Sequence, residues 1–443
     1  MGIRLSAPGL VCCAGANRED FFRAALKGDN GGIAPFVISE KGRFLVGRVR
    51  GFDDPPEAAG ARLKGTEGRL YRIAAAALEQ ISPEIEKAVA AFGAERVGVC
   101  AGSCDNGSEL SFPAHREYFS AGAFPLAYDL RFQSAALVAD FIAELFGLKG
   151  PCLTVSTACA SSAGALVKGA ELIRAGLCDA VVAGGADIVS ETVLLGFSAL
   201  EAVSDTLCNP FSRNRRGITL GEGAAFFVMR HDEGGGAAPG RAGADGKISA
   251  GADGPRIELL GFGESADAYH ITAPRPDGSG AAAAMRGALS AAGIKPADVD
   301  YINLHGTGTK LNDGMEALAT EAVFGRDSPP VSSTKPITGH TLGAAGALEL
   351  SLCWMALAAA DSSAPGQNGA AAVSGYGTLP MHRWDGEYDE GMPALHFVGS
   401  RGAAAKSGGV ENPYRPINVC MSNSFAFGGC NTSLIIGRGV DNV

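Results

Sequence analysis

The chain has 443 residues, of which 46% are hydrophobic and 19% charged, so it can bury a large core and does not have the composition of a disordered polymer. Its formal net charge of −10 argues against non-specific nucleic-acid binding. The 11 cysteines include no C-x-x-C pair, so no zinc ribbon or finger is indicated, and no metal is predicted. We expect free thiols and a cytoplasmic location, because a reducing compartment keeps cysteines unpaired and no secretory signal is visible.

Short apolar segments alternate with longer segments of helical periodicity along the whole chain. We predict strands over 96–101, 152–157, 180–184, 224–229, 301–304, 330–333 and 417–421. We predict helices over 135–146, 162–175, 280–292 and 346–359. Such alternation predicts an α/β protein whose sheets are covered and largely parallel. The most apolar helix carries Glu349 and is too short to span a bilayer, so no membrane association is predicted.

Three polar, Gly/Ala-rich stretches interrupt this alternation, at 232–255, 362–372 and 399–409. They contain few apolar residues and are predicted to be surface connections. The first of them would join two halves of the chain.

Cys159 lies where a predicted strand changes into a predicted helix. Free backbone N–H groups and the helix dipole favour an anion at such a corner, so the thiol is expected to have a lowered pKa and to act as a nucleophile. Small neighbours, from Ala158 to Gly164, would leave room for a substrate beside the sulfur. A buried structural cysteine is the alternative reading, since free cysteines are usually buried.

Two histidines also follow predicted strands and lie among glycines and threonines. His305 comes after the strand at 301–304, and His340 follows the strand at 330–333. Open α/β sheets place ligand-contacting groups at such strand ends. Four other histidines are interpreted as ordinary core or surface residues, namely His115, His231, His382 and His396.

Five ordered sequence blocks carry a resemblance to the β-ketoacyl-acyl-carrier-protein synthases of the elongating type. They span 157–163, 209–224, 305–313, 335–349 and 423–431, and begin TACASSA, NPFSRNRRG, HGTGTKLND, KPITGH and NSFAFGG. The match covers nearly the whole chain. It implies a thiolase-like fold of two similar α/β halves in a five-layered αβαβα arrangement. The first half, 1–256, would carry the nucleophilic cysteine and the second, 257–443, both histidines.

The resemblance implies a decarboxylating Claisen condensation. An acyl chain would be held on Cys159 as a thioester and joined to malonyl-acyl-carrier protein, giving 3-oxoacyl-acyl-carrier protein and CO₂. The enzyme itself would bind no cofactor, because the phosphopantetheine arm of the carrier protein brings the substrates. The expected partners are acyl carrier protein and a second copy of the chain in a homodimer.

The resemblance also implies the roles of individual residues. Lys335 and Glu349 would organise the charges around the two catalytic histidines, and the backbone N–H groups of Cys159 and Phe427 would form an oxyanion hole. Substrate-binding residues are expected at Thr307, Thr309, Phe425 and Phe427. Ala426 stands where the family has glycine, and its Cβ is expected to stiffen the gating turn around Phe427.

An acidic carrier protein would need a cationic landing site on this acidic enzyme. The candidates are Arg62, Lys64, Arg69 and Arg72, which precede an Ala-rich helix. An ordinary solvated helix start is the alternative for this cluster.

Two other functions stay open at this point. One is a Cys–His acyltransferase or thioester hydrolase, and the other is a non-catalytic partner subunit of the chain-length-factor kind. The presence of Cys159 favours the catalytic reading, because chain-length factors lack the nucleophile.

Overall fold

The structure is a computed structural model, described here over residues 2–38, 42–52, 68–105, 107–231, 255–362, 379–399 and 417–439. Most of each Gly/Ala-rich stretch, and the predicted docking residues Arg62 and Lys64, lie outside these ranges. The strands are β1 (Ile3–Leu5), β2 (Gly9–Cys12), β3 (Ile33–Val37), β4 (Arg43–Gly47), β5 (Val97–Gly102), β6 (Cys152–Val155), β7 (Ala180–Asp187), β8 (Leu220–Gly221), β9 (Gly223–His231), β10 (Ile257–Ala266), β11 (Tyr301–Asn303), β12 (Val331–Ser332), β13 (Val419–Phe425) and β14 (Cys430–Arg438). The helices are α1 (Arg18–Lys27), α2 (Arg69–Glu79), α3 (Ser82–Phe92), α4 (Ser108–Ala121), α5 (Ala136–Phe146), α6 (Ser161–Arg174), α7 (Glu191–Ala199), α8 (Ser279–Ala292), α9 (Lys310–Phe324), α10 (Lys335–Thr338) and α11 (Ala345–Ser362).

The same strand arrangement occurs twice in the large sheet. In the first half of the chain the order is β6-β5-β7-β9-β2, and in the second half it is β12-β11-β13-β14-β10. When the five strands of each half are numbered in chain order, β2, β5, β6, β7 and β9 in the first and β10 to β14 in the second, both spatial orders are third, second, fourth, fifth and first. In each half the first two pairings are parallel and the last two antiparallel. The short strand β1 pairs with both β9 and β10 and so joins the halves. The fold is therefore an internal duplication that the residues themselves do not reveal.

Alternating side chains of these strands build three separate hydrophobic clusters. Helices α2, α3 and α5 pack on the outer face of the first half-sheet. Helices α6 and α11 share one central cluster with the inner faces of both half-sheets. Helices α8 and α9 cover the outer face of the second half-sheet. Because successive strand residues point to opposite faces, each half-sheet can be buried on both sides. The result is the five-layered αβαβα arrangement that the resemblance implied.

The expectation of largely parallel sheets is wrong. Of the ten strand pairings described in the large sheet, four are parallel and six antiparallel. Antiparallel pairs arise because β13 and β14 are joined by a tight turn, and because β9 and β10 lie against β1 where the halves meet. A three-stranded sheet of β3, β4 and β8 lies beside the large one.

Helix α11 explains why one segment is apolar on every side. It lies in the middle layer, where both half-sheets and α6 surround it. A helix buried on all sides needs no polar stripe. The expectation that this segment is too short to span a bilayer is wrong, because by length and composition the window 342–359 could cross a membrane. However, 89% of the window is buried inside the protein, as in a core helix.

Candidate active site

Two tight turns, one in each half, begin the two central helices. The turn 158–160 leads into α6, and the turn 342–344 leads into α11. Each has a non-glycine residue in the left-handed region at its first position, Ala158 with φ 50° and Leu342 with φ 52°. This conformation costs roughly 1–2 kcal/mol for an L-residue, so surrounding contacts must hold it. Cys159 lies in the first turn, and His340 lies two residues before Leu342.

The structure brings together the three side chains that the sequence proposed as catalytic. His340 Nε2 lies 3.0 Å from Cys159 Sγ. The rings of His305 and His340 meet edge to face, with centroids 5.3 Å apart. Ligand atoms of all three residues lie within 4.8 Å of one another, and all three side chains are buried. A thiol and two imidazoles therefore face one small space.

The protonation of this group differs from the sequence expectation in one respect. Burial raises the pKa of the Cys159 thiol to about 11, although the charge of Lys335 and the backbone N–H groups of Phe427 and Cys159 lower it. The prediction of a lowered pKa for Cys159 is wrong, because desolvation outweighs the favourable groups at the helix start. Burial also holds the pKa values of His305 and His340 well below the usual range, with Lys335 adding to the effect. Both imidazoles are therefore neutral at pH 7.

Hydrogen bonds at the outer nitrogens assign the tautomer of each histidine. The backbone N–H of Leu342 donates to His340 Nδ1 over 3.2 Å. The Lys335 ammonium lies 3.4 Å from His305 Nδ1 and, having no acceptor capacity, donates to it. A neutral imidazole that accepts at Nδ1 carries its proton at Nε2. The site thus presents two Nε2–H donors to the space beside the sulfur.

Lys335 and Glu349 form the buried ion pair that the resemblance implied. Lys335 Nζ lies 2.5 Å from Glu349 Oε1 and also donates to the carbonyl oxygen of His305. Burial raises the pKa of Glu349, and the Lys335 charge lowers it.

Two further acidic residues that sequence reasoning did not single out hold the loop of His305. The Glu316 carboxylate accepts hydrogen bonds from the N–H groups of His305 (2.8 Å) and Gly306 (2.7 Å). Asp313 accepts from the N–H groups of Gly308 (3.1 Å) and Phe211 (2.8 Å). The available signal was their spacing of three on α9, directly after the HGTGT segment, which puts both on one helix face.

Two cavities meet at Cys159. The larger, of about 340 Å³, is mostly apolar and is lined by Cys104, Ser156, Ala158, Cys159, Val193, Phe197, Leu342 and Phe427. The narrow second cavity is lined by Cys159, Phe197, Ile218, His305, Thr307, Thr309, Asn312, His340, Phe425 and Phe427. The predicted substrate-binding residues thus all lie in the second cavity, and Phe427 borders both. One side of the sulfur suits an apolar chain, and the other side presents hydroxyl and imidazole groups.

The turn between β13 and β14 does not use Ala426 at a positive φ, the conformation that its Cβ was expected to restrict. The left-handed positions of this turn fall on Gly428, with φ 86°, and Gly429, with φ 77°, whereas Ala426 is not in that region. Ala426 is buried beside Cys159, and its N–H donates to the Cys430 carbonyl over 2.8 Å. Its Cβ therefore packs in the site at no backbone cost.

The predicted docking cluster is only partly at the surface. Arg69 is 4% exposed and ion-paired with the buried carboxylate of Glu222, so its prediction as a carrier-protein contact is wrong. A buried arginine needs such a partner, and the pair ties α2 to the segment before β9. Arg72, also on α2, is half-buried. The described members of the cluster therefore do not form a cationic surface patch.

The Cys–His–His group also resembles a set of metal ligands. A metal-bound histidine usually donates its other ring N–H to an acceptor. Here the outer nitrogens face donors instead, the Leu342 N–H and the Lys335 ammonium. These surroundings suit two hydrogen-bond donors better than two metal ligands.

A duplicated, five-layered α/β fold with one thiol and two imidazoles where its halves meet defines a thiolase-like protein. Comparison with known families agrees. The family described as "Beta-ketoacyl synthase, N-terminal domain" matches residues 69–234, and "Beta-ketoacyl synthase, C-terminal domain" matches 257–363. The chain belongs to the beta-ketoacyl synthase family, as the resemblance of its sequence blocks indicated.

Relatives are similar over nearly the full chain. The 3-oxoacyl-[acyl-carrier-protein] synthase 2 of Staphylococcus aureus (strain COL) is 32% identical, covering 98% of this chain and 97% of that protein. The protein of the same name from Vibrio cholerae is 31% identical, covering 97% of each. Among solved structures, the ketosynthase ApeO in complex with its chain length factor ApeC, from Xenorhabdus doucetiae, matches with a TM-score of 0.79 and 35% identity. That match covers 99% of this chain and 98% of the other.

Proposed function

We propose that this protein is a 3-oxoacyl-[acyl-carrier-protein] synthase that extends acyl chains by decarboxylating condensation. In the first half-reaction the Cys159 sulfur attacks the thioester carbonyl of an acyl-carrier protein. The carbonyl oxygen becomes negative and is stabilised by the N–H groups of Cys159 and Phe427. The carrier thiol leaves with the proton that the cysteine gives up, and the acyl chain occupies the apolar cavity.

In the second half-reaction malonyl-carrier protein enters through the cavity lined by Thr307 and Thr309. Loss of CO₂ leaves an electron pair on the α-carbon and negative charge on the thioester oxygen. The Nε2–H groups of His305 and His340 stabilise that oxygen. The carbanion then attacks the acyl-enzyme carbonyl. A carbon–carbon bond forms, the carbon–sulfur bond to Cys159 breaks, and 3-oxoacyl-carrier protein is released. The Cys159 thiolate takes up a proton from solvent and returns to the thiol.

The observation that carries this proposal is the pair of neutral imidazoles whose Nε2–H groups face the sulfur. A hydrolase would need water beside the acyl-enzyme, whereas Cys159 is 5% exposed in a mostly apolar setting. A non-catalytic chain-length-factor role gains no support from a chain that keeps the complete thiol and histidine set. Condensation is therefore favoured over both alternatives.

A ladder of acyl-carrier proteins offered with malonyl-carrier protein tests the function. Mass spectrometry should show each accepted chain converted to a product two carbons longer with a 3-oxo group. Iodoacetamide mapped to Cys159, or Cys159→Ala, should abolish condensation. Free acid released without malonyl donor would indicate a hydrolase. No product from any acyl chain, with or without a partner subunit, would contradict the proposal.

For the carrier protein, we propose a landing site near the substrate entrance. Lys310 is exposed and follows directly after Thr309, which lines the narrow cavity. An acidic partner would meet this cation beside the opening through which its phosphopantetheine arm must pass. Lys310→Glu should raise the apparent KM for carrier-bound substrates several-fold at low salt. Lys149→Glu, at a lysine that is 69% exposed and beside Glu95, is the matched control and should leave KM unchanged.

We propose that the chain acts as a dimer in the cytoplasm, with halves divided near residue 256. The repeated strand order supports the division into halves. Among the described strands β6 pairs with β5 alone, and the side chain of its Leu153 is 40% exposed, which supports a partner at this edge. The Xenorhabdus relative is in complex with a chain length factor, so a related subunit is the alternative partner.

A further inference from the structure

Asp187 is a buried carboxylate that connects the two helix-opening turns of the site. It ends β7 and is 0% exposed. Its Oδ1 accepts from Ser103 Oγ (2.8 Å) and from the N–H groups of Cys104 (3.0 Å) and Asp105 (2.9 Å). Its Oδ2 accepts from the N–H of Gly343 at 2.5 Å. Four donors thus converge on one carboxylate that lines neither of the two cavities beside Cys159.

On one side this network reaches His340. Gly343 follows Leu342, the residue with φ 52°. The Leu342 N–H is the group that donates to His340 Nδ1. The approach is so close that a Cβ on Gly343 would lie 2.5 Å from Asp187 Oδ2. The bond from Gly343 therefore fixes the turn in the conformation that keeps the proton of His340 on Nε2.

On the other side the network reaches the nucleophile. Cys104, whose N–H donates to Asp187, directs its Sγ to the Ala158 carbonyl at 3.1 Å. Ala158 is the strained residue directly before Cys159, with φ 50°. Cys104 and Leu342 also line the apolar cavity. The carboxylate therefore supports the wall of that cavity as well as both turns.

We propose that Asp187 is a positioning residue for malonyl decarboxylation, acting through Gly343 and Leu342 on the placement and tautomer of His340. The proposal rests on the proposed function, since it assigns a part in that reaction. It requires the ionised form: a protonated carboxyl would direct an O–H into a ring of donors and lose acceptor capacity.

The pH dependence follows from the surroundings of the carboxylate. Burial and the nearby Asp105 raise the pKa of Asp187 to about 7. Among the described residues, the titratable groups facing this network are Asp105 and the Cys104 thiol in the loop after β5, and His340 and Cys159 across the turns. Burial holds the pKa of His340 well below 6.5, and burial raises that of Cys159 to about 11, so neither titrates near neutrality. Decarboxylation should therefore reach its full rate about one unit above pH 7 and fall below it. Burial also raises the pKa of Glu316 to about 8 and that of Asp313 to about 6, and both carboxylates hold the loop of His305. The limb near pH 7 belongs to Asp187 if it persists in Glu316→Gln and in Asp313→Asn.

The test compares Asp187→Asn with wild type in two separate assays, malonyl-carrier-protein decarboxylation and alkylation of Cys159. The asparagine places an NH₂ group against donors, so decarboxylation should fall about 100-fold, the scale of a small misplacement of a reacting group. Alkylation should change far less, because Asp187 reaches the turn of Cys159 only through the Cys104 thiol, a weak donor to the Ala158 carbonyl. Asp187→Glu, which restores a carboxylate, should regain part of the loss. Asp300→Asn is the matched control, because Asp300 accepts two backbone N–H groups at the opposite end of the sheet.

A double variant separates positioning from general damage. If Asp187 acts through His340, then Asp187→Asn should add little to the loss caused by His340→Ala. The proposal is overturned if the double variant shows the product of the two single-variant losses. It is also overturned if Asp187→Asn decarboxylates at the wild-type rate, or if Asp187→Glu is no more active than Asp187→Asn. Should the asparagine variant not fold, the pH profile decides. An acidic limb near pH 7 that is missing from the wild type, or that is lost in Glu316→Gln or in Asp313→Asn, overturns the proposal. A wild-type protein that never decarboxylates would instead refute the proposed function.

Discussion

Cys159 shows that a favourable position and a low pKa are separate properties. The thiol lies at the start of α6, faces two backbone N–H groups and is near Lys335, yet burial raises its pKa to about 11. The position was predictable from the strand-to-helix change in the sequence. The pKa was not, because desolvation depends on side chains such as Phe427 and Leu342 that are remote in sequence.

The alkylation rate of Cys159 by iodoacetamide should therefore keep rising through pH 8, 9 and 10. Below its pKa a thiol gains about tenfold in thiolate for each pH unit. Mass-spectrometric mapping separates this cysteine from the exposed Cys152. A rate that levels off below pH 8 would mean that the thiolate is already formed and that the neighbouring cation outweighs burial.

His340→Ala should reduce malonyl decarboxylation by about 100- to 1,000-fold, because one of two donors to the developing negative oxygen is lost. In the proposed mechanism acyl transfer to Cys159 relies on backbone N–H groups, so this half-reaction should fall much less. The matched control is His382→Ala. His382 is also buried, but it stacks on Phe397, with ring centroids 4.2 Å apart, outside the two cavities at Cys159. The His382→Ala substitution should therefore lower the stability of the fold and leave the ratio of the two half-reaction rates unchanged. Equal losses in both half-reactions would assign His340 a different role.

At the level of helices and strands, glycines allow the nucleophile's helix to approach the sheet. A Cβ at Gly102, the last residue of β5, would lie 2.4 Å from backbone atoms of Ser161 and Ser162. A Cβ at Gly185 of β7 would lie 2.8 Å from the Ser162 side chain. These contacts fix the start of α6 over the strand ends. Sequence periodicity located β5, β7 and α6 to within a few residues, but not how closely their backbones approach.

Gly102→Ala should therefore destabilise the fold by about 1–3 kcal/mol, the usual cost of overpacking, and should also slow acyl transfer by displacing Cys159. Denaturant unfolding and acyl loading measure the two effects. Gly196→Ala in α7 is the control, since no atom lies within 4 Å of its added Cβ. It should be neutral or stabilising by up to about 1 kcal/mol. Wild-type stability and loading in Gly102→Ala would show that α6 can shift freely.

The same contrast decides which site residues could be predicted from the sequence. Local motifs were predictable, and contacts between residues distant in sequence were not. Cys159, His305 and His340 follow predicted strands, so their proximity could be anticipated. Lys335 and Glu349 lie in α10 and α11 and were expected only because of the family resemblance. Arg69 could not be placed, because its partner Glu222 is 153 residues away in sequence. Asp187 was missed for a similar reason, since its donors come from the loop after β5 and the turn before α11.

For the whole molecule, the exposed edge of β6 carries the clearest consequence. If the proposed dimer pairs at this edge, Leu153→Glu should shift it to monomer in light scattering, because the introduced charge would be buried in the interface. Leu177→Glu is the control: Leu177 is 54% exposed and lies between α6 and β7, away from that edge. A dimer that survives Leu153→Glu would place the interface elsewhere, and a monomeric wild type would refute the homodimer.

The repeated strand order has a consequence for how such a site can arise. A half-length ancestor that assembled in pairs would bring two identical helix-opening turns face to face, and any change in one would appear in both. Fusing the copies into one polypeptide releases that symmetry constraint. One copy can then keep a sulfur at its turn while the other specialises in imidazole, and a pair of equal sites becomes a single asymmetric one.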